Sequence, residues 1–354
     1  MRIEEIFVPG RLCLFGEHSD WAAGYRHLNP LLQQGYALIT GTNQGLYARI
    51  KPHSDHFIFR TLLQDGTEKV LTLPMKKQLL LAEIKRGEFF SYAAGVVYQL
   101  LTHFDIGGLE IDNYFTDLPI KKGLSSSAAT CVLVAKAFNQ VYDLKLTMHQ
   151  QMEFAYWGET TTPSRCGRMD QACAYGSQPI TMIFDGDRVT PTVLQVPQDL
   201  FFVLVDLGAG KNTKEILSQL NQCYPFAKNE VQRNVQKYLG EISYEITQAA
   251  VDALQVGDAQ QIGMLMKLAQ AEFDHYLIPA CPQELTAPML HKLLDYPPIQ
   301  PYIWGGKGVG SQGDGTAQLI VKDKASQQKV IQIIEGDFPQ MQCLQLTIYA
   351  NKSS

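Results

Sequence analysis

Residues Pro119–Thr130 read PIKKGLSSSAAT and form the most informative stretch of the chain. Gly123 allows the backbone to approach a ligand closely, and three serines follow it at the start of a predicted helix. Serine hydroxyls and the free N–H groups of a helix N-terminus favour an anion such as phosphate. A serine N-cap also belongs at a helix start and needs no ligand, although three serines exceed what one cap requires. Phosphate binding and plain helix capping are therefore both open for this stretch.

The segments around this stretch predict a chain that mixes strands and helices. Alternating or buried apolar runs predict strands, and apolar runs with helical spacing predict helices. The predicted strands of the first part are Ile3–Gly10, Tyr36–Pro52, Leu109–Pro119, Ile180–Asp187 and Leu200–Gly208. The predicted helices of the same part are Phe90–Phe104, Ala129–Tyr142 and Thr147–Thr162.

Beyond about Asp206 the predicted elements are mostly long helices, and the chain ends with a Gly-rich loop, a strand, a helix and a last strand. The 354 residues suit two domains, and this change in predicted secondary structure indicates a division into 1–195 and 196–354. The predicted elements of the second part are helices at Thr213–Tyr224, Asn229–Asp258, Ala259–Leu277 and Ala325–Phe338, and strands at Thr316–Asp323 and Gln342–Ala350.

Composition excludes several classes of protein. Apolar residues make up 45% of the chain and charged residues 18%, which favours a folded core over disorder. The net charge of −5 argues against a nucleic-acid partner, which would require a basic face. The N-terminus lacks a secretory signal, and no apolar run is long enough to span a membrane. Seven cysteines without a CxxC pair predict reduced thiols and a cytoplasmic protein.

Common nucleotide motifs are missing or misplaced. A P-loop requires G-x4-G-K-[ST], but Gly210-Lys211 is followed by Asn212, and no protein-kinase signature is present. Gly308–Gly313 matches G-x-G-x-x-G, yet it lies near the C-terminus and precedes a predicted strand rather than a helix. We therefore expect a Gly-rich turn that packs against another loop, and a Rossmann oxidoreductase is disfavoured.

Polar residues cluster in PGRLCLFGEHSDW, Pro9–Trp21. Carboxylates and an imidazole that follow an apolar strand around a glycine turn suit a polyol site, because they donate to and accept from hydroxyl groups. A charged surface loop would have the same composition, and taken alone that alternative is the stronger one. The candidate residues of this segment are Arg11, Glu17, His18 and Asp20.

A second charged segment is GETTTPSRCGRMDQ, Gly158–Gln171. A carboxylate close to arginine is a candidate base or metal ligand, because the cation keeps it ionised. A solvated helix end with ordinary ion pairs would give the same pattern, and residue types alone do not separate the two interpretations. The candidates are Glu159, Arg165, Arg168 and Asp170.

Taken together and in this order, these segments resemble the GHMP kinases, the superfamily of galactokinase, homoserine kinase, mevalonate kinase and phosphomevalonate kinase. The resemblance spans the whole chain. Its first motif takes the galactokinase form, and a later helix-and-loop region is also galactokinase-like. The matching segments are Pro9–Trp21, Gly123–Ala129, Cys166–Gln171, Leu265–Leu285 and Trp304–Gly315.

The resemblance implies an α+β fold with two domains, a ribosomal-protein-S5-domain-2-like N-terminal half and a ferredoxin-like C-terminal half, with the active site between them. It implies transfer of the ATP γ-phosphoryl group to a sugar hydroxyl, the anomeric one in galactokinase-like members, with ATP and Mg²⁺ required. The expected partners are a small-molecule sugar and ATP, and the protein would be a monomer or homodimer. A non-catalytic sugar sensor on the same scaffold is the alternative, as is a kinase for a phosphorylated heptose or a uronic acid.

Residue roles follow from the same resemblance. Asp170 would be the catalytic aspartate, Arg11 would stabilise the reacting oxygen, and Ser127 and Glu159 would bind Mg²⁺. Contacts to the substrate are implied for Glu17, His18, Asp20 and Arg168. Contacts to ATP are implied for Gly123, Leu124, Ser125, Ser126, Ser127, Gly308 and Gly310.

Several residues depart from the galactokinase pattern and leave the sugar open. Trp21 stands where galactokinases usually have tyrosine, and Ser311, Gln312 and Asp314 interrupt the third motif. Arg168 replaces an apolar residue, so it could pair with an anionic group of the sugar, span two hydroxyls, hold Asp170 ionised or form an outward ion pair. Repulsion from the carboxylates of the first motif favours a neutral sugar.

Overall fold

The structure divides into two units, and two long strands belong to both. The computed structural model describes residues 3–63, 66–118, 124–163 and 166–351. Unit 1 comprises Met1–Arg11 and Gly41–Ser177, and unit 2 comprises Leu12–Thr40 and Gln178–Ser354. Strands β1 (Glu4–Phe15) and β2 (Gly35–His53) belong to both. The units therefore differ from the predicted segments 1–195 and 196–354, because residues 12–40 belong with the later part of the chain.

Unit 1 contains a sheet in the order β4-β3-β5-β2, and β1 also pairs with β2. The β3–β5 pair is parallel, whereas β3–β4 and β2–β5 are antiparallel. Phe57 and Phe59 on β3 are almost completely buried and alternate with partly exposed residues, which is the pattern of a strand with one covered face. The three further strands are β3 (His56–Leu62), β4 (Glu68–Pro74) and β5 (Gly108–Thr116).

Four helices complete unit 1. Helix α4 has a small or apolar residue at almost every inward position and is buried along most of its 17 residues. A capping box formed by Thr147 and Gln150 starts α5, and a short 3₁₀ helix, Asp170–Tyr175, follows later. The α-helices are α2 (Lys77–Arg86), α3 (Ser91–His103), α4 (Ser126–Tyr142) and α5 (Met148–Thr160).

Unit 2 is built around a four-stranded antiparallel sheet in the order β11-β8-β10-β9. Numbered along the chain, these four strands lie in the order 4-1-3-2, with helices between the first and second and between the third and fourth. This is the ferredoxin-like arrangement that the resemblance implied. The strands are β8 (Leu200–Asp206), β9 (Ile303–Gly308), β10 (Thr316–Val321) and β11 (Gln342–Ile348).

The helices of unit 2 cover this sheet and form a second apolar cluster of their own. Helix α9 lies against β9 so closely that a Cβ on Gly305 would come within 2.0 Å of the Gly263 carbonyl oxygen. The helices are α1 (Ser19–Gly24), α6 (Thr213–Asn221), α7 (Glu230–Lys237), α8 (Ser243–Val256), α9 (Ala259–Leu277), α10 (Pro282–Leu285), α11 (Pro288–Leu294) and α12 (Lys324–Asp337).

Shorter elements join these helices and strands. Three 3₁₀ helices of unit 2 lie at Tyr25–His27, Ile278–Ala280 and Pro297–Tyr302, and a π-helical segment, Tyr238–Ile242, separates α7 from α8. The beginning of β2 pairs antiparallel with β6, and β6 with β7, all within this unit. Strands β6 and β7 are Ile180–Asp185 and Arg188–Val193. Among the described residues, no helix has both the length and the apolar character of a membrane span.

Most predicted elements are confirmed, with two corrections. The long predicted helix Asn229–Asp258 is interrupted by the π-helical segment and ends at Val256. The expected Gly-rich loop begins instead with strand β9, because the glycines pack where the sheet meets helix α9 and lack side chains that would prevent the contact. A strand can therefore be rich in glycine where another backbone approaches it.

Candidate active site

The serine run lies at the N-terminus of α4, as predicted. Ser125 is the residue before the helix and adopts a left-handed conformation with φ of 55°. Its hydroxyl does not cap the helix but donates to Asp170 Oδ1 at 2.7 Å. The simple N-cap interpretation is therefore wrong for Ser125, and its side chain is directed to the candidate catalytic residue. Gly123 lies outside the described residues.

A cavity of about 390 Å³ adjoins this helix start. One part of its wall is apolar and aromatic, and the serine run forms another part. Such a combination suits a flat heteroaromatic group joined to an anion, because the ring contacts the apolar wall and the anion meets hydroxyls and N–H groups. The lining residues are Leu46, Phe59, Thr61, Leu62, Leu63, Phe89, Tyr92, Asn113, Thr116, Leu118, Ser125, Ser126, Ser127 and Thr130.

Arg11 and Asp170 form a partly buried ion pair in unit 1. Arg11 Nη2 donates to Asp170 Oδ1, and only 10% of the arginine side chain is exposed, against 27% for the aspartate. The backbone N–H of Arg11 donates to the Leu124 carbonyl at 3.2 Å, which fixes the arginine beside the serine run. The cation that faces Asp170 is therefore Arg11, 159 positions away in the sequence.

Ser127 and Glu159 lie together, as the resemblance implied for two metal ligands. Ser127 Oγ donates to Glu159 Oε1 at 2.9 Å, and the Gln171 amide donates to Glu159 Oε2 at 2.8 Å. Burial, followed by the negative charge of Asp170, raises the pKa of Glu159 to about 7. Gln171 is fully buried, and its Oε1 has no hydrogen-bond partner among the described residues.

These groups fit a Mg²⁺ ion. The cation prefers oxygen ligands, and a serine hydroxyl, a carboxylate and an unpaired amide oxygen are of that kind. A positive ion beside Glu159 would also offset the cost of a buried negative charge. Gln171 was not selected from the sequence, although it directly follows Asp170 in the segment CGRMDQ.

Arg168 makes its contacts with residues other than Asp170. Its Nε donates to both carboxylate oxygens of Glu153, at 3.1 and 3.3 Å, and its guanidinium lies over the Tyr156 ring at 4.3 Å. Both partners are on α5, so the guanidinium is engaged before any substrate binds. This arrangement corresponds to the ion-pair alternative, and it corrects the idea that Arg168 holds Asp170 ionised.

The first motif covers the end of β1 and the start of α1, and its residues from Leu12 onward belong to unit 2. Gly16 makes the turn at φ of 88°, and a Cβ there would lie 2.1 Å from the Tyr36 carbonyl oxygen, so only glycine fits. Glu17 and His18 are buried, and Asp20 is partly buried in the first turn of α1. The alternative of a charged surface loop is therefore wrong.

Glu17 pairs with Lys307, a residue that sequence reasoning missed. Lys307 Nζ donates to Glu17 Oε1 and to the Gly308 carbonyl, and only 1% of its side chain is exposed. The Gly308 N–H donates to Gln270 Oε1 at 2.8 Å, so both backbone groups of Gly308 have partners within the protein. Gly310 has φ of 65° and open space at its Cβ position, which leaves it accessible to a ligand.

We expect Lys307→Met to lower the free energy of unfolding by about 3–5 kcal/mol, because it leaves the Glu17 carboxylate buried without its cation. Urea denaturation monitored by circular dichroism measures this. The double variant Glu17→Leu with Lys307→Met should recover much of the loss, since no isolated charge is left. A loss below about 1 kcal/mol in the single variant would contradict the buried ion pair.

His18 is held neutral in the same unit. Burial, followed by the charge of Lys211 and to a smaller extent that of Lys307, lowers its pKa from 6.5 to about 4, against an opposing effect of the Ser311 backbone. Its Nδ1 accepts a hydrogen bond of 3.0 Å from Trp21 Nε1. At neutral pH the ring is therefore an uncharged donor and acceptor rather than a cation.

The depressed pKa predicts a pH-dependent stability. Between pH 6.5 and 4 the unfolded chain binds a proton at His18 that the folded chain excludes, so stability falls as the pH drops through this window. The slope from this one group is at most about 1.4 kcal/mol per pH unit. Denaturation of the wild type and of His18→Gln across this range should show a shallower slope in the variant. Equal slopes would show that His18 titrates normally.

Comparison with known proteins links one segment of the chain to a family and the whole chain to solved kinase structures. Residues 91–177 match the family described as GHMP kinases N terminal domain. The chain is 25% identical over 342 residues to a galactokinase of Pyrococcus furiosus, covering 90% of this chain and 89% of that one. The structure of Lactococcus lactis galactokinase complexed with galactose aligns with a TM-score of 0.73 at 17% identity, covering 99% of this chain and 94% of that one. Methanococcus jannaschii mevalonate kinase aligns with a TM-score of 0.71 at 17% identity, covering 99% of both chains.

Residues 91–177 match the GHMP kinase N-terminal domain, and the chain resembles galactokinases over most of its length, which supports an ATP-dependent phosphotransferase with a hydroxyl acceptor. The likeness to solved galactokinase and mevalonate kinase structures confirms the predicted α+β kinase fold. The chain is galactokinase-like, since curated relatives that match most of its length are galactokinases.

Proposed function

We propose that this protein transfers the γ-phosphoryl group of ATP to the anomeric hydroxyl of a sugar and releases a sugar 1-phosphate. The observation that carries the proposal is the cluster of Arg11, Ser125 and Asp170, in which a carboxylate beside a helix N-terminus is held by a cation and a hydroxyl. Galactokinases among the relatives support a sugar as the acceptor.

Asp170 would accept the proton of the sugar hydroxyl or orient that hydroxyl for attack. Arg11 balances the charge of the carboxylate and adds positive charge near the reacting oxygen. Phosphoryl transfer depends on positioning and charge neutralisation more than on covalent chemistry, so a fixed carboxylate and a fixed guanidinium are suitable groups. The partial exposure of Asp170 leaves it reachable by a substrate, whereas Arg11 is more deeply buried.

ATP would bind at the cavity beside α4. The adenine would contact the apolar wall formed by residues such as Phe59 and Tyr92, and the phosphates would meet Ser125–Ser127 at the start of the helix. Leu124 accepts from the Arg11 N–H through its carbonyl and directly precedes the serine run. Gly308 and Gly310 are further candidate ATP contacts, and Gly310 has open space at its Cβ position.

Ser127 and Glu159 would hold Mg²⁺, with Gln171 beside them. When bound, the ion would neutralise charge on the transferred phosphoryl group. The sugar would contact Glu17, His18 and Asp20 in unit 2. Because Lys307 already neutralises Glu17, repulsion from that carboxylate is weaker than the sequence suggested, and an acidic sugar is an acceptable substrate.

A coupled assay of ADP release tests the proposal on a panel of free hexoses, pentoses, uronic acids and sugar phosphates. We expect Mg²⁺-dependent turnover with at least one sugar, and phosphorus NMR of the product should show a phosphate on the anomeric carbon. ATP binding without turnover on the whole panel would instead support a non-catalytic sensor. A product phosphorylated elsewhere would overturn the anomeric assignment.

Arg168 is expected to have little influence on sugar choice, because Glu153 and Tyr156 already engage its guanidinium. In Arg168→Met the ratio of kcat/KM values between the best neutral and the best acidic sugar should stay within about twofold of wild type, since sites without shared partners act almost independently. Selective loss of activity on acidic sugars would show that Arg168 contacts the substrate. Glu153→Gln provides the matched variant, since it breaks the same ion pair from the other side.

A further inference from the structure

Trp21 lies in the first turn of α1 and contacts His18, the residue directly before the helix. Trp21 Nε1 lies 3.0 Å from His18 Nδ1, and the two rings meet edge to face with centroids 5.8 Å apart. An indole N–H can only donate a hydrogen bond, so Nδ1 must be the accepting nitrogen of the imidazole. A phenol at position 21, as in the galactokinase pattern, could donate or accept and would not impose this choice.

We propose that Trp21 is a positioning residue that fixes His18 in the tautomer with its proton on Nε2, so that His18 presents a hydrogen-bond donor to an acceptor oxygen of the sugar. This inference rests on the proposed function, because it takes His18 as a sugar contact. His18 Nε2 is buried and makes no hydrogen bond of normal geometry among the described residues, although the Ser311 backbone lies near the ring. A buried N–H of this kind gains most from a ligand oxygen that completes its bonding.

Neighbouring rings hold both side chains in place. The His18 ring stacks on Phe273 with a centroid distance of 6.4 Å and an interplanar angle of 24°. Trp21 meets Tyr224 edge to face at 5.4 Å, and Tyr224 stacks on Tyr25 at 5.5 Å. With the indole packed in this cluster, its N–H cannot easily turn away from Nδ1, so the tautomer is held by packing as well as by the hydrogen bond.

A fixed donor at Nε2 selects the chemical class of the group that faces it. A sugar hydroxyl can accept this hydrogen bond, whereas the ammonium group of an amino sugar is a donor only. Two donors facing each other in a buried site leave both unpaired, which costs binding free energy. The substrate is therefore expected to carry a hydroxyl or another oxygen acceptor, and not a protonated amine, at the position next to His18.

The test is ¹⁵N NMR of histidine-labelled full-length protein, which distinguishes the protonated from the lone-pair nitrogen of His18. The wild type should show the proton on Nε2 at neutral pH. Replacement of Trp21 with 3-benzothienylalanine keeps the ring shape but removes the N–H, and Trp21→Phe removes both. Both changes should give a mixture of tautomers and raise KM for the best sugar roughly threefold to tenfold, with kcat nearly unchanged.

Tyr25→Phe is the matched control, because it removes a hydrogen bond to Asn221 from the same aromatic cluster without touching His18. It should change neither the tautomer nor KM. A wild-type proton on Nδ1, or an unchanged tautomer in both Trp21 variants, would overturn the role of Trp21. If the tautomer shifts as expected but His18→Ala leaves the sugar KM unchanged, the proposed sugar contact fails instead, so the two failures are distinguishable.

Discussion

Replacing Asp170 with asparagine is expected to lower kcat by about 10²–10⁴-fold while ATP binding is retained. Asparagine keeps the shape of the side chain and can still accept from Ser125 and Arg11, but it cannot take up a proton or balance the guanidinium charge. Turnover in the ADP-release assay and nucleotide affinity by calorimetry measure the two parts of this prediction.

Asp185→Asn is the matched control, because Asp185 also pairs with an arginine, Arg26, but both residues belong to unit 2 and neither is a proposed catalytic or binding residue. This variant should lose some stability and keep most of its turnover. Near-normal kcat in a folded Asp170→Asn protein would show that Asp170 is neither the base nor an essential orienting group.

Removing either candidate Mg²⁺ ligand is expected to raise the Mg²⁺ concentration needed for half-maximal activity. For Ser127→Ala and for Glu159→Gln we expect an increase of roughly 10–100-fold, the range found when groups that support a bound metal are removed. Each substitution removes or neutralises one of two oxygens, Ser127 Oγ and Glu159 Oε1, which lie 2.9 Å apart. Titration of activity with Mg²⁺ at saturating ATP and sugar gives the measurement.

Glu153→Gln serves as the control, since Glu153 is a carboxylate on the same helix whose partner is Arg168. Its Mg²⁺ requirement should match that of the wild type. A crystal structure with Mg-nucleotide in which other side chains hold the ion would contradict the assignment of Ser127 and Glu159, whatever the titration shows.

Much of the fold could be predicted because its core elements have strong patterns. The apolar run of α4 and the buried strand β8 were found within a few residues of their observed bounds. Strands β3 and β4 and helix α2 were not predicted, since their fully buried residues are few and are separated by partly or fully exposed ones. Strand β9 was missed because its glycines depend on a contact with α9 that no local pattern reveals.

The candidate site residues could be predicted where they lie in segments with a clear sequence pattern. Arg11, Ser127, Glu159 and Asp170 were all singled out from the sequence, and the structure brings them together in two contacting pairs. Lys307 was missed because a single lysine among glycines carries no sign of its partner, which lies 290 positions earlier. Partner choice of this kind depends on tertiary structure and not on neighbours in the chain.

Because Glu17 and Lys307 are 290 positions apart, their ion pair can form only late in synthesis of the chain. A ribosome that adds about 5–20 residues per second makes Lys307 roughly 15–60 s after Glu17. Unit 1 has all its residues once synthesis reaches Ser177, whereas residues 12–40 must wait for the C-terminal strands of unit 2. A chain that stops near residue 195 would leave Glu17 permanently without the strand that carries Lys307.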